Sequence, residues 1–277
     1  MHKHMLGIGS ARMEVNAWSP DDAKMHGLTG WSLKPMQSQQ DVFTNQALAN
    51  GLRAAFVSIG AYEAYAPNVA TASAHIVDTN ELTTSIELGV EMSISRNKEL
   101  PADGVFLQRG KTFVMSGAGC PLIIATAGEH TIVVHAGRDS LVERNAVLGK
   151  PSRKHISIVY AIIDGLLGKG ALLNEIAMLM MFSIPVGMFE HRPDDPKYGA
   201  YNKALDGLVG KLWPDGIVRR DGSMFVDLES IFLAQVRESG IRRVWTTHSL
   251  EEYPDLAHTR DGKDSSRRNL YVVRRNA

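Results

Sequence analysis

Short apolar runs, rather than long helical stripes, dominate the middle of the chain. Pro121–Ala125 and Thr131–Val134 are rich in Ile and Val, and Thr126–Glu129 separates them. Runs of that length predict two strands joined by a tight turn. Alternation over Leu82–Ser95 predicts one or two more strands. Val105–Leu107 and Thr112–Met115 read as a further pair around the turn Gln108–Arg109–Gly110, and Val69–Asp78 reads as a strand carrying His75. Ile176–Phe182, Arg243–Thr247 and Leu270–Val273 complete the set. Helical spacing recurs from Val42 to Phe56, with Asp41 as cap and Gly60 as stop, from Ile156 to Leu167, and over Tyr201–Leu212. It is clearest in Val226–Ser239, where Leu228, Ile231, Phe232 and Val236 share a face, Asp227 can cap and Gly240 can stop the helix. Residues 1–40 show no clear period. They are expected to be a partly irregular N-terminal segment with Met1–Met5 frayed, and residues 41–277 to form one domain. Strands that precede, follow and alternate with helices predict a mixed α/β fold, with central mixed sheets packed together and helices outside.

Composition narrows the function. Lys plus Arg and Asp plus Glu are 30 each in 277 residues, so net charge gives no pull toward nucleic acid or an anionic membrane. A single cysteine excludes an internal disulfide framework and suits a reducing compartment. No signal-peptide core is visible, and the longest greasy patch, Ile176–Val186, is short and contains Pro185. These features predict a soluble, cytoplasmic protein.

The candidate chemistry lies in Ser116–Leu141. It holds the only cysteine, Cys120, behind Gly117 and Gly119, and His135 follows fifteen residues later. If Ala127 and Gly128 form the hairpin turn, paired residue numbers sum to 255, and Cys120 falls directly opposite His135. Opposed residues share a face. A thiol and an imidazole so placed suit three roles. They are two ligands of a zinc ion, with His75 as a third. They are a metal-free nucleophile and base, with backbone N–H groups of the Gly117–Gly119 turn stabilising an oxyanion. Or they are structural residues, since a lone buried cysteine packs as a small hydrophobe. His191 opens a Pro-rich charged loop, and Tyr253–Arg268 gathers His258, Arg260, Lys263, Arg267 and Arg268 among three aspartates. An arginine there, or Arg138, could hold phosphate or substrate. There is no Walker loop, dinucleotide fingerprint or Gly-x-Ser-x-Gly elbow.

Cys120-Pro121-Leu122 followed by His135-Ala136-Gly137 resembles the core of the laccase-domain family, whose members are described as polyphenol oxidases or purine nucleoside phosphorylases. Ala102-Asp103 is similar to the family's Ala-Asp step. Asp227-Leu228, Gln235, Gly240, Thr247 and then Thr259–Asp264 with Arg267 or Arg268 are similar to its closing pattern. The resemblance runs from about Asp41 to the C-terminus. It implies a zinc enzyme acting on purine nucleosides, by phosphorolysis or deamination. Cys120, His135 and His75 would hold the metal, and Arg138, Arg260 or Arg267 would hold phosphate or substrate. Copper oxidase chemistry is disfavoured, because the body of the chain lacks paired His-x-His motifs. The chain departs from the family at Gly119, where an Asp is usual, and at Arg138-Asp139-Ser140, where Trp-Arg-Gly is usual. Ser116–Cys120 and the short interval to His135 also resemble the catalytic domain of cytotoxic necrotizing factors. That likeness implies a Cys/His hydrolase or protein-glutamine deamidase, with a protein substrate. An inactive binding homologue is the third possibility.

Overall fold

The computed structural model describes residues 1–9, 11–19, 63–69, 74–89, 92–97, 100–150, 155–256 and 269–276. The expected helix from Asp41, and Arg260 and Arg267, lie outside the described residues.

In chain order the strands are β1 (His2–Ile8), β2 (Ala11–Trp18), β3 (Glu63–Tyr65), β4 (Ile76–Asp78), β5 (Thr84–Gly89), β6 (Met92–Arg96), β7 (Gly104–Phe106) and β8 (Thr112–Gly117). They continue with β9 (Leu122–Ala127), β10 (His130–His135), β11 (Ala177–Met181), β12 (Glu190–His191), β13 (Ile217–Arg220), β14 (Ser223–Val226), β15 (Arg243–Thr247) and β16 (Asn269–Arg275). The helices among the described residues are α1 (Arg138–Leu141), α2 (Arg144–Val147), α3 (Ile158–Gly168), α4 (Gly199–Leu212) and α5 (Leu228–Glu238).

Two large mixed sheets carry the fold. One has seven strands in the order β1-β2-β16-β8-β3-β6-β5, and the other six in the order β15-β11-β9-β10-β7-β4. A three-stranded sheet, β12-β14-β13, stands apart. Every residue of β9 and β11 is buried, which explains their unbroken apolar sequences: both faces are covered. A single hydrophobic cluster links Met13, Val15, Phe113 and Tyr271 of the first sheet to Leu122–Ala125 and Val133 of the second, and on to Ile162 and Leu166 of α3. On the far face of the second sheet, α3 approaches closely at Gly165. A Cβ there would lie 3.0 Å from Phe106 and 3.5 Å from Ile132.

Local sequence logic accounts for the helices. The Ser157 hydroxyl accepts from the Val159 N–H at 3.1 Å, and the Asp227 carboxylate accepts from the Ser230 N–H at 3.0 Å, so both are N-caps. Gly240 follows α5 in the left-handed region, at φ +77°.

The N-terminus differs from expectation. Residues 2–18 are not an irregular, frayed segment. They form the hairpin β1–β2, whose second strand is laddered to β16 near the other end of the chain. Pairing across so great a sequence separation leaves no local pattern to read. The hairpin carries a histidine cluster. The ring centroids of His4 and His248 are 3.9 Å apart, and His2 bonds Asp255 at 2.9 Å. The Tyr253 hydroxyl meets His248 Nδ1 at 2.6 Å.

Burial, and then the neighbouring His248 and His2, hold the His4 pKa down to about 4. The unfolded chain therefore takes up a proton near pH 6.5 that the folded chain refuses until about pH 4. Stability should fall with pH through that window. Thermal melts at pH 7 and pH 5 should show a larger drop for the native chain than for His4→Phe, which keeps an aromatic ring but cannot titrate. Equal drops would show that His4 is not responsible.

Candidate active site

The hairpin β9–β10 forms as the apolar pattern predicts, with a different register. Gly128 and Glu129 make the turn, with Gly128 at φ +53°, and paired residues sum to 257: Ala127 faces His130 and Leu122 faces His135. A glycine in the first central position suits a tight hairpin turn. The shift of two residues moves Cys120 off the ladder, to a position just before β9. Pairing nevertheless continues past the strand ends, because the Ala136 N–H donates to the Pro121 carbonyl at 2.8 Å. This brings Cys120 alongside Gly137.

Gly137 decides whether the two side chains can meet. A Cβ at this position would lie 2.9 Å from His135 Cε1, 3.2 Å from His135 Nε2 and 3.2 Å from Cys120 Sγ. Its φ of −64° is open to any residue, so the glycine is required for space and not for backbone conformation. The sulfur and the Nε2 edge of the imidazole converge on that gap and are hydrogen-bonded to each other.

The other face of the imidazole is held by Asp103, at the start of β7. His135 Nδ1 lies 3.4 Å from Asp103 Oδ1, and the His135 N–H donates to the Asp103 carbonyl at 2.8 Å. Asp103 is fully buried, and its Oδ2 accepts from the Ala74 N–H at 2.8 Å. The strands dictate this arrangement. Val134 pairs with Gly104, so His135 and Asp103 are next in the same row and project to the same face. The result is a Cys120–His135–Asp103 row with the imidazole in the middle. Burial disfavours imidazolium, but the Cys120 charge and the hydrogen bonds to Asp103 and Cys120 outweigh it, raising the His135 pKa to about 10. The arrangement suits an ion pair between thiolate and imidazolium, oriented by a carboxylate.

Sequence reasoning quoted Asp103 only as half of a family motif and assigned it no role. The available signal was a charged residue immediately ahead of a buried strand, since such a residue requires a partner.

His75 is not gathered with this pair, which corrects the expected three-ligand set. Ile76 pairs with Gly104, so His75 is the next residue out, beside Asp103 on the neighbouring strand. Ala74, however, takes a positive φ of +41°. The His75 ring is exposed and its Nδ1 lies 3.1 Å from the Pro101 carbonyl. There it lines a cleft of about 550 Å³ with Ile76, Phe106 and His155, on the α3 side of the sheet. Among the described residues no group of three or more His, Cys, Asp or Glu side chains is placed to hold a metal. A catalytic zinc takes three protein ligands. Cys120 and His135 supply two, so the described donor set does not fit one.

Arg138 follows Gly137 directly, so its backbone borders the gap on which Cys120 and His135 converge. α1, which it opens, is anchored by Gln235 of α5, whose Nε2 donates to the Leu141 carbonyl at 2.8 Å while its Oε1 accepts from Ser157 at 2.6 Å. In the other sheet Tyr271 is fully buried, and burial holds its phenol proton in place.

Solved structures share this architecture end to end. A Neisseria meningitidis protein of family DUF152 superposes with a TM-score of 0.64 over 100% of both chains, at 13% identity. The Bacillus licheniformis hypothetical protein YfiH gives 0.64 at 12% identity over 96% of each chain. The chain has the YfiH-like, laccase-domain fold. Geobacillus stearothermophilus YlmD, at 0.62 and 13% identity over 96% of this chain and 92% of its own, is similar to the same laccase-domain fold. No protein-family profile and no curated protein matches the sequence. Among the described residues of the fold, no helix is long and apolar enough to cross a membrane.

Proposed function

We propose that the chain is a metal-independent cysteine hydrolase that cleaves an amide or acyl bond. One observation carries this reading: His135 stands between Asp103 and Cys120, with one ring nitrogen toward each. The Cys120 thiolate attacks the carbonyl carbon, forming the C–S bond. The His135 imidazolium gives its proton to the leaving nitrogen or oxygen as that bond breaks. Neutral His135 then takes a proton from water, and the resulting hydroxide cleaves the thioester, releasing the acid and returning the thiolate–imidazolium pair. Asp103 holds the ring in place and favours its protonated form. Protein-glutamine deamidation, expected from the toxin-like motif, is one reaction of this class.

The test uses chelator-treated protein with an acyl ester panel and a glutamine peptide, read by intact mass and ammonia release. A thioester adduct at Cys120 and turnover are expected. Turnover should be lost in Cys120→Ala and fall by ~10²–10⁴-fold in His135→Ala. Neither adduct nor ammonia from any member would defeat the reading.

A second reading is the zinc-dependent purine nucleoside chemistry that the family resemblance implies. It is favoured by the Asp103–His135 contact, because metal-bound histidines commonly donate their other nitrogen to a carboxylate. It requires a third donor, and His75 would have to turn from the Pro101 carbonyl. About one zinc per chain, lost in His75→Ala, together with phosphorolysis or deamination of adenosine or inosine, would select it.

A further inference from the structure

The residue after Gly137 opens a cationic cluster that the cleavage steps above do not use. Arg138 Nε donates to Asp139 Oδ1 at 2.7 Å, and its guanidinium carbon stacks 4.8 Å over the Tyr201 ring. The Tyr201 hydroxyl donates to the same Asp139 oxygen at 3.0 Å. Arg144 covers the ring too, at 5.3 Å, and reaches Asp139 Oδ2 at 3.8 Å. Arg138 Nη1 approaches Nε2 of buried His191 at 3.4 Å. Two guanidinium groups thus share one carboxylate, which leaves the cluster with an excess positive charge. The Arg138 side chain is 23% exposed. Its Nη2 makes no hydrogen bond among the described residues, and it is anchored on three sides by Asp139, Tyr201 and His191.

Such anchoring is more than a solvated arginine needs. A planar fork held by its Nε edge presents its remaining donors in a fixed direction, which suits a bidentate oxyanion. The fork is attached at the residue after Gly137, the position in contact with both Cys120 Sγ and His135. We propose that Arg138 is the specificity-determining residue of the site, and that the substrate is an acyl or amide compound carrying an anionic oxygen group, carboxylate or phosphate, close to the carbonyl that Cys120 attacks. This inference rests on the cysteine-hydrolase reading and adds the charge of the substrate to it.

Alkylation of Cys120 by iodoacetate and iodoacetamide tests it without knowledge of the natural substrate. The two reagents differ in the charge of the group beside the reacting carbon. The ratio of their rate constants, each taken relative to a free thiol, should favour iodoacetate in the native chain. It should fall on the order of tenfold in Arg138→Gln, as expected for losing one nearby charge in a partly buried site. An unchanged ratio would overturn the role of Arg138 and leave the thiol chemistry standing. Failure of both reagents to label Cys120 in the native chain would instead defeat the hydrolase reading itself. A measurement on the native chain covers the case in which the variant does not fold. Succinate or inorganic phosphate should slow iodoacetamide labelling, and whichever protects better identifies the anion. Equal protection by neutral succinamide, or protection by none of the three, would overturn the proposal.

Discussion

Asp103→Ala is expected to destabilise the chain by about 3 kcal/mol, the lower end of the range for breaking a buried charge pair. It should also remove the enhanced reactivity of Cys120. The magnitude follows from the two tasks of this carboxylate. It takes the Ala74 N–H at 2.8 Å, and it faces His135 Nδ1 at 3.4 Å in a fully buried setting. Alanine leaves the Ala74 donor without its partner and the imidazolium without its counter-charge. The contact to His135 is long, which is why the lower end is chosen. For a chain of this size, such a loss corresponds to a melting-temperature drop of roughly 5 °C.

Asp103→Asn separates the two tasks. The amide can still accept from Ala74, so the melting temperature should fall less than in Asp103→Ala. Loss of a charge-assisted hydrogen bond to His135, worth ~1.5–3 kcal/mol, should lower the Cys120 alkylation rate by ~10–100-fold. Asparagine behaving like alanine in stability, with reactivity intact, would make Asp103 a structural residue only.

Gly137→Ala should have the second-largest effect, and it acts by geometry alone. The added methyl would sit 2.9 Å from His135 Cε1, closer than real Cβ contacts allow, and 3.2 Å from the sulfur. His135 is buried and tied to Asp103, so the ring has little room to retreat. The methyl must therefore separate thiol from imidazole. The expected outcome is loss of most of the alkylation rate, comparable to His135→Ala, with an overpacking cost of ~1–3 kcal/mol. Ala136 is the control: it is equally buried, but the motif His-Ala-Gly uses only its last position to make room for the pair. Native-like reactivity in Gly137→Ala would mean that the two side chains do not converge on this gap.

Local signals in the sequence reached far into this fold. Apolar runs bounded by turns located β9, β10, β11, β15 and β16, and caps and stops located α3 and α5, because these elements are specified by neighbours a few residues away. The joining of Cys120 and His135 was also readable, although the reason differs. The turn uses Gly128–Glu129 rather than Ala127–Gly128, a choice between two glycine placements that are both acceptable in short hairpins. The pair meets through the extension of the ladder past Leu122 and through the missing side chain at Gly137.

Long-range partners were not readable. The pairing of β2 with β16 and the place of Asp103 beside His135 depend on which strands become neighbours, and strand periodicity does not encode that. His75 shows the limit most clearly. It reads as a third ligand offered by a separate strand, but the positive φ at Ala74 accompanies a ring turned to the Pro101 carbonyl, and no periodic pattern announces a backbone torsion of that kind at alanine.

The central claim is that His135 is an imidazolium paired with the Cys120 thiolate and steadied by Asp103. Its linkage has a definite sign. A histidine raised from 6.5 to about 10 stabilises the fold fully below pH 6.5, and that contribution is lost as pH rises through about 10. The most direct measurement is an NMR titration of the His135 ring in chelator-treated protein, compared with Cys120→Ser. The account predicts that the native ring stays protonated well above pH 7, and that its titration moves to markedly lower pH when the sulfur is replaced by a hydroxyl. A native ring that titrates at the ordinary histidine value, unmoved by the substitution, would contradict it.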